Sequence, residues 1–160
     1  MNEHELAEAL VGVAFLEGLP AEQFRSLAAI ARHVELPLGD LIFREGDESG
    51  QVFLVISGRV SLEICAAGIG CRRILTVGEV ELLGWSPLVG NSRLTATART
   101  LAPTRLIAFD ARQLLALCEA EPRLGYEFMK RIAAALAARL SATRMQMLDV
   151  YGAESPTLPR

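Results

Sequence analysis

Val77-Gly-Glu-Val-Glu-Leu-Leu-Gly-Trp-Ser-Pro-Leu-Val-Gly-Asn-Ser-Arg-Leu-Thr-Ala-Thr97 is the stretch that decides how this chain is read. Gly78-Glu79 lies between apolar runs, where such a dipeptide marks a tight turn. Leu83-Gly84-Trp85 opens a second irregular segment, and Arg93 to Thr97 leads back into extended chain. The same punctuation recurs upstream at Leu38-Gly39-Asp40, at Glu45-Gly46-Asp47 and at the end of Val52-Phe-Leu-Val-Ile-Ser-Gly58. Glycine takes positive φ at no steric cost, so each of these positions is suited to a sharp reversal. Between the turns, apolar or alternating runs predict strands at 41–44, 51–57, 59–65, 71–77, 93–101 and 104–109. Short strands at this spacing predict antiparallel pairing in a roll or barrel.

Helices flank the strands. Glu5 to Leu16 reads as a short helix, and Pro20 opens a better one through Ala31, with Phe24, Leu27, Ala28 and Ala31 at helical spacing. Asp110 is placed to cap a helix from Ala111 to Glu119, and Pro122 fits the first turn of a long helix reaching about Val150. The expected class is α+β, mainly β: an antiparallel, jelly-roll-like β-roll with an N-terminal helix and a long C-terminal one. One domain is expected over 1–150, with the roll at about 35–110, the long helix at about 122–150 and a loose tail at 151–160.

The order of these turns, with the 77–97 segment and the terminal helix, resembles the cyclic nucleotide-binding domain family of the catabolite activator and protein kinase A regulatory-subunit type, over roughly residues 15–145. In that family a Gly-Glu turn leads through Phe-Gly-Glu into a short helix, and an Arg followed by Ala-Thr returns on a strand. The resemblance implies that Gly84, Trp85, Ser86, Arg93, Leu94 and Thr95 border a ligand pocket. There backbone N–H groups and a guanidinium would hold a cyclic phosphate, and a carboxylate would accept the ribose hydroxyl proton. This chain departs from that pattern twice. Trp85 stands at the place of the ribose-binding Glu. Counting back from Ala96-Thr97, the usual Arg position falls on Leu94, with Arg93 one residue early, and one step along a strand turns a side chain to the opposite face. Arg93 stays a candidate contact, because a bulge in the loop would return it to the pocket.

Composition fits one globular domain. The 160 residues are 51% hydrophobic, with a formal net charge of -3, which gives no electrostatic footprint for nucleic acid. The apolar stretches are short or broken by charge, and Met1-Asn-Glu-His-Glu lacks a basic secretory start. Cytoplasmic residence, with no membrane association, is the expectation. Cys65, Cys71 and Cys118 form an odd set that suits a reducing compartment. Cys65 and Cys71 flank a hairpin loop and could approach one another, but small residues packed in or near a core is the preferred reading. His4 and His33 show no ligand spacing with them, so no metal site is expected. No enzyme is expected either: Ser86 and Ser92 read as loop residues, Glu79 as a turn residue, and Glu81 as facing water.

Met129, Ala133, Leu136, Leu140, Thr143, Met147 and Val150 recur at alternating spacings of four and three, an a/d seam that asks for a partner helix. Leu124, Phe128, Ile132 and Ala135 lie beside it and would pack on the roll. Homodimerisation through this helix is expected, as the resemblance implies. In the family's transcription regulators the helix leads into a DNA-reading domain. The residues after Val150 are too few for one, so direct nucleic-acid binding is not expected, and Arg139 and Arg144 read as solvated helix-face charges. Two functions follow. One is a stand-alone regulatory sensor with a degenerate cassette, signalling through the dimer helix to an unknown protein partner. Its candidate ligands are a cyclic nucleotide or a small molecule that lacks the ribose hydroxyl and stacks on Trp85. The other is an adaptor in which Trp85 and Leu94 fill the old pocket.

Overall fold

The computed structural model describes residues 1–78, 81–90 and 93–151. In chain order it contains α1 (Glu3–Val11), a 3-10 turn (Ala14–Leu16), α2 (Ala21–Ala29), β1 (Ala31–Leu36), β2 (Leu41–Phe43), β3 (Gln51–Ser57), β4 (Val60–Ala66) and β5 (Gly70–Val77). Then come β6 (Leu82–Leu83), a 3-10 turn (Ser86–Val89), β7 (Thr97–Thr100), β8 (Thr104–Asp110), α3 (Ala111–Ala120) and α4 (Pro122–Tyr151). The strands make two four-stranded sheets, ordered β1-β8-β3-β6 and β2-β7-β4-β5, paired antiparallel. This is the mainly-β roll with terminal helices that the turn pattern predicts.

The apolar run of β3 has a physical reason. Val52 and Leu54 pack on one side with the helices, while Phe53 and Val55 pack between the two sheets. β8 alternates likewise, with Ile107 and Phe109 toward the helices and Leu106 and Ala108 inward. A strand buried on both faces carries no polar alternation. Leu6 and Leu10 of α1, Phe24 and Leu27 of α2, Leu114 of α3, and Leu124, Phe128 and Ile132 of α4 complete the helical side of the core. Local signals agree with this packing. Asn2 and Glu5 form a capping box at α1, and Asp110 Oδ1 accepts the Gln113 N–H at 2.9 Å, capping α3.

Three features differ from expectation. The helix expected through Ala31 stops at Ala29, and β1 begins at Ala31 and pairs with β8. Only that distant partner makes the charged, mixed run Ala31–Leu36 a strand. The strand expected over 93–101 pairs only from Thr97, while Arg93 makes an isolated bridge to Glu48. Cys65 and Cys71, expected in or near the core, are exposed, face one another across the β4–β5 ladder and form a disulfide. Cys118 does lie in the core, and burial pushes its thiol pKa up.

The 30-residue α4 is about 45 Å long at 1.5 Å per residue, more than its domain covers. Met129 and Leu136 of the expected seam pack against their own core, and every described side chain beyond Leu140 is exposed. Gly125 lets α4 approach α3: a Cβ there would meet Cys118 O at 2.6 Å. No helix among the described residues is long and apolar enough to cross a membrane. Glu79 and Ser92 lie outside the described residues, as does the expected tail apart from Tyr151.

Candidate functional site

Gly84 ends β6 with φ +67°, and a Cβ there would come within 3.1 Å of Gln51 O. Only glycine fits both conditions. The turn it makes passes Trp85 into Ser86–Val89, where the Leu88 N–H bonds to Trp85 O at 2.9 Å. Beside this turn lies a cavity of about 330 Å³. Gly84, Trp85 and Ser86 border it, with Leu94, Thr95 and Ala96 from the returning chain. Phe43, Leu62, Ile64, Ile74, Leu75 and Leu83 supply apolar walls, and Arg139 of α4 enters from the helix side. Of the six sequence-predicted pocket residues, five therefore line one cavity. The volume lies at the small end of ligand pockets, and mostly apolar walls with a few polar groups are usual there.

Arg93 is the one placed elsewhere. Its guanidinium donates to Gly46 O at 3.0 Å and pairs with Glu48 at 3.9 Å, and it is not among the residues that line the cavity. Leu94, 3% exposed, is on the wall instead. The backbone fixes this: Leu94 N–H donates to Asp47 O and Leu94 O accepts from Gly46 N–H, at 3.0 and 2.8 Å. Trp85 is half-buried, with one side against the helical core and one on the cavity.

Arg139 corrects the reading of it as a solvated helix-face charge. It is half-buried, and its Nη2 donates to Leu82 O at 2.6 Å. Its Nε is buried and has no hydrogen-bond partner among the described residues. Burial lowers the guanidinium's pKa from its ordinary value, and the nearby Glu81 carboxylate acts the other way. Arginine keeps its charge in such a setting. Glu81 is itself exposed and accepts the Gly78 N–H at 2.8 Å. A sequence signal for Arg139 does exist. Ile132, Leu136 and Arg139 fall at i, i+4 and i+7, one helix face, and the first two pack on the domain.

The cyclic nucleotide-binding domain model matches residues 33–121, more than half of the chain, and the chain belongs to that family. It is 23% identical over 150 residues to the CRP-like cAMP-activated global transcriptional regulator of Mycobacterium tuberculosis, covering 93% of this chain and 65% of the regulator. It is 29% identical over 117 residues to lysophospholipase nte1 of Neurospora crassa, covering 72% of this chain but 8% of that one. The chain thus spans less than two thirds of either relative. Among solved structures it is similar to the Thermus thermophilus catabolite activator protein, with TM-score 0.68 and 28% identity, covering 86% of this chain and 62% of that one.

Proposed function

We propose that this regulatory domain senses a small anion with a planar, apolar body, recognised by Arg139 rather than by the cassette, and signals through α4 as a homodimer. One observation carries the reading. The Arg139 Nε–H is buried and has no partner among the described residues, on a side chain that lines the cavity, and a buried N–H left unpaired costs about 1–3 kcal/mol. A side-chain turn that swings the guanidinium toward an anion in the cavity would give it a charge-assisted bond. Trp85 offers the ligand an indole face instead of a ribose acceptor. Trp85 and Leu94 line the cavity and leave about 330 Å³ between the walls, which favours a sensor over an adaptor with a filled pocket. Because Arg139 belongs to α4, ligand contact and helix position are coupled.

Anilinonaphthalene sulfonate, a planar aromatic anion, tests the recognition step. Its fluorescence titration should saturate at one site per chain, and Arg139→Gln should weaken binding about tenfold, the loss of one charge-assisted hydrogen bond. Equal affinity in the variant would count against the reading.

The output step rests on exposed apolar side chains at Leu140, Met147 and Val150, the last 73% exposed. Such a stripe favours burial against a second copy. Thr143, also on the seam, bonds back to Arg139 O at 2.9 Å, so its hydroxyl needs no partner across the interface. Leu140→Glu with Met147→Glu should give monomer by light scattering with an unchanged circular dichroism spectrum, since neither side chain belongs to the core. Leu136 is unsuitable for this test because it packs inside its own domain. Wild-type protein that is already monomeric at tens of micromolar would rule out this route.

A further inference from the structure

The β4–β5 hairpin carries a second cluster on the sheet face opposite the cavity. Along β4, Leu62 and Ile64 line the cavity, and Ser61, Glu63 and Cys65 alternate with them on the other face. Cys65 is paired with Cys71, both exposed. The Glu63 carboxylate and the two sulfurs all lie within 4.8 Å of one another. Glu63 is also oriented: its Oε1 accepts from Ser61 Oγ at 2.9 Å, and Ser61 is fully buried. Among the described residues no ion pair joins Glu63 to Arg73, its partner in the ladder. A second carboxylate, Glu45, accepts the Cys65 N–H at 3.3 Å. It borders an open cavity of about 360 Å³ that both cysteines also line.

We propose that Cys65, Cys71 and Glu63 form a redox-gated site for a thiophilic divalent cation of the Zn²⁺ type. The closed form is the disulfide, whose sulfurs cannot serve as thiolate ligands. A small dithiol reductant opens it, giving two electrons and two protons to the S–S bond and ending as its own cyclic disulfide. The two thiols of the protein then release two protons to solvent as two metal–sulfur bonds form. With Zn–S bonds of about 2.3 Å and a tetrahedral angle, the sulfurs stand about 3.8 Å apart. Side-chain rotation on facing residues provides that separation without moving the ladder. Glu63 supplies the third ligand, Ser61 holds it in place, and the fourth position is left to water. Oxidation by a small-molecule disulfide runs the sequence backward: the two thiolates give up two electrons to re-form the bond, the oxidant leaves as two thiolates, and the ion is released. Histidine spacing could not reveal such a site, since the third ligand is a carboxylate two residues before Cys65.

The test titrates Cd²⁺ into phosphine-reduced and into oxidised protein, following the ultraviolet thiolate-to-metal charge-transfer band. Zn²⁺ competition against a chromophoric chelator then gives the affinity. The reduced form should bind one equivalent and the oxidised form none. Cys71→Ser should abolish the band, Cys118→Ala should retain it, and Glu63→Gln should weaken Zn²⁺ binding about tenfold or more. Ser61→Ala should also weaken it, by about tenfold, as loss of an orienting partner does. Should Cys71→Ser fail to fold by circular dichroism, alkylating the reduced wild-type thiols with iodoacetamide serves the same purpose. No band in the reduced protein, a band that survives loss or alkylation of the exposed thiols, or equal uptake by the oxidised form would overturn the site. Unchanged affinity in Glu63→Gln would overturn the three-ligand assignment.

Discussion

Gly58→Ala is expected to lower the melting temperature by about 10 °C, the largest stability loss foreseen for any single methyl group in this chain. Gly58 joins β3 to β4 at φ +102°, a conformation that L side chains rarely adopt. A Cβ there would lie 2.5 Å from Thr104 Oγ1, 2.7 Å from Pro103 O and 2.8 Å from Thr104 Cα. Two of those atoms are backbone and belong to the turn into β8, so they cannot swing aside. The backbone conformation costs about 1–2 kcal/mol and the overlap a further 1–3. In a domain of this size each kcal/mol is worth about 2–4 °C. Gly68→Ala is the control. Gly68 also has positive φ, +80°, but no atom lies within 4 Å of the added Cβ, so only the conformational cost of about 1–2 kcal/mol should appear. Equal losses in the two variants would contradict the close approach at Gly58.

Trp85→Glu with Leu94→Arg should raise the affinity for cyclic AMP by about a hundredfold or more. The two positions border the same cavity, and the resemblance to the family pattern implies a ribose acceptor and a phosphate donor there. Each regained charge-assisted hydrogen bond is worth about 1.5–3 kcal/mol, and two give roughly 3–6. The ligand-free variant should be less stable than wild type. Leu94 is almost fully buried, where an unpaired guanidinium is costly, and Trp85 leaves apolar surface behind on the helical core. Ligand should therefore restore the melting temperature in a concentration-dependent way. A double variant that binds no better than wild type would show that the cassette backbone, and not these two side chains, limits the site.

Much of this architecture was legible because its signals are local. Turn glycines, the alternation of β4, the Asp110 cap and Pro122 at the start of α4 each act within a few residues. β1 was not legible, since Ala31–Leu36 becomes a strand only through pairing with β8, far away in the sequence. The pocket was readable as a place. Strand parity is not what puts Leu94 on the wall of that pocket: Leu94, Thr95 and Ala96 all border it, and strand pairing starts only at Thr97. Its chemistry was less readable, because the guanidinium that reaches it comes from α4 some fifty residues downstream. Arg139 looked solvated as one charge on a long helix, and becomes half-buried only where that helix crosses Leu82. The seam was overread for a related reason. A heptad pattern records apolar positions without saying which partner covers them, and Met129 and Leu136 are covered by their own domain.

Anion recognition through Arg139, with high-affinity cyclic nucleotide recognition lost, is the proposal on which the sensor reading depends. Calorimetric titration of cyclic AMP into wild type and Arg139→Gln tests it most directly. With no ribose acceptor at Trp85 and no donor at Leu94, wild type should bind no tighter than the high-micromolar range, as expected from two lost charge-assisted bonds. Arg139→Gln should remove what binding remains. A sub-micromolar dissociation constant for the wild type, or one that Arg139→Gln leaves unchanged, would contradict the claim.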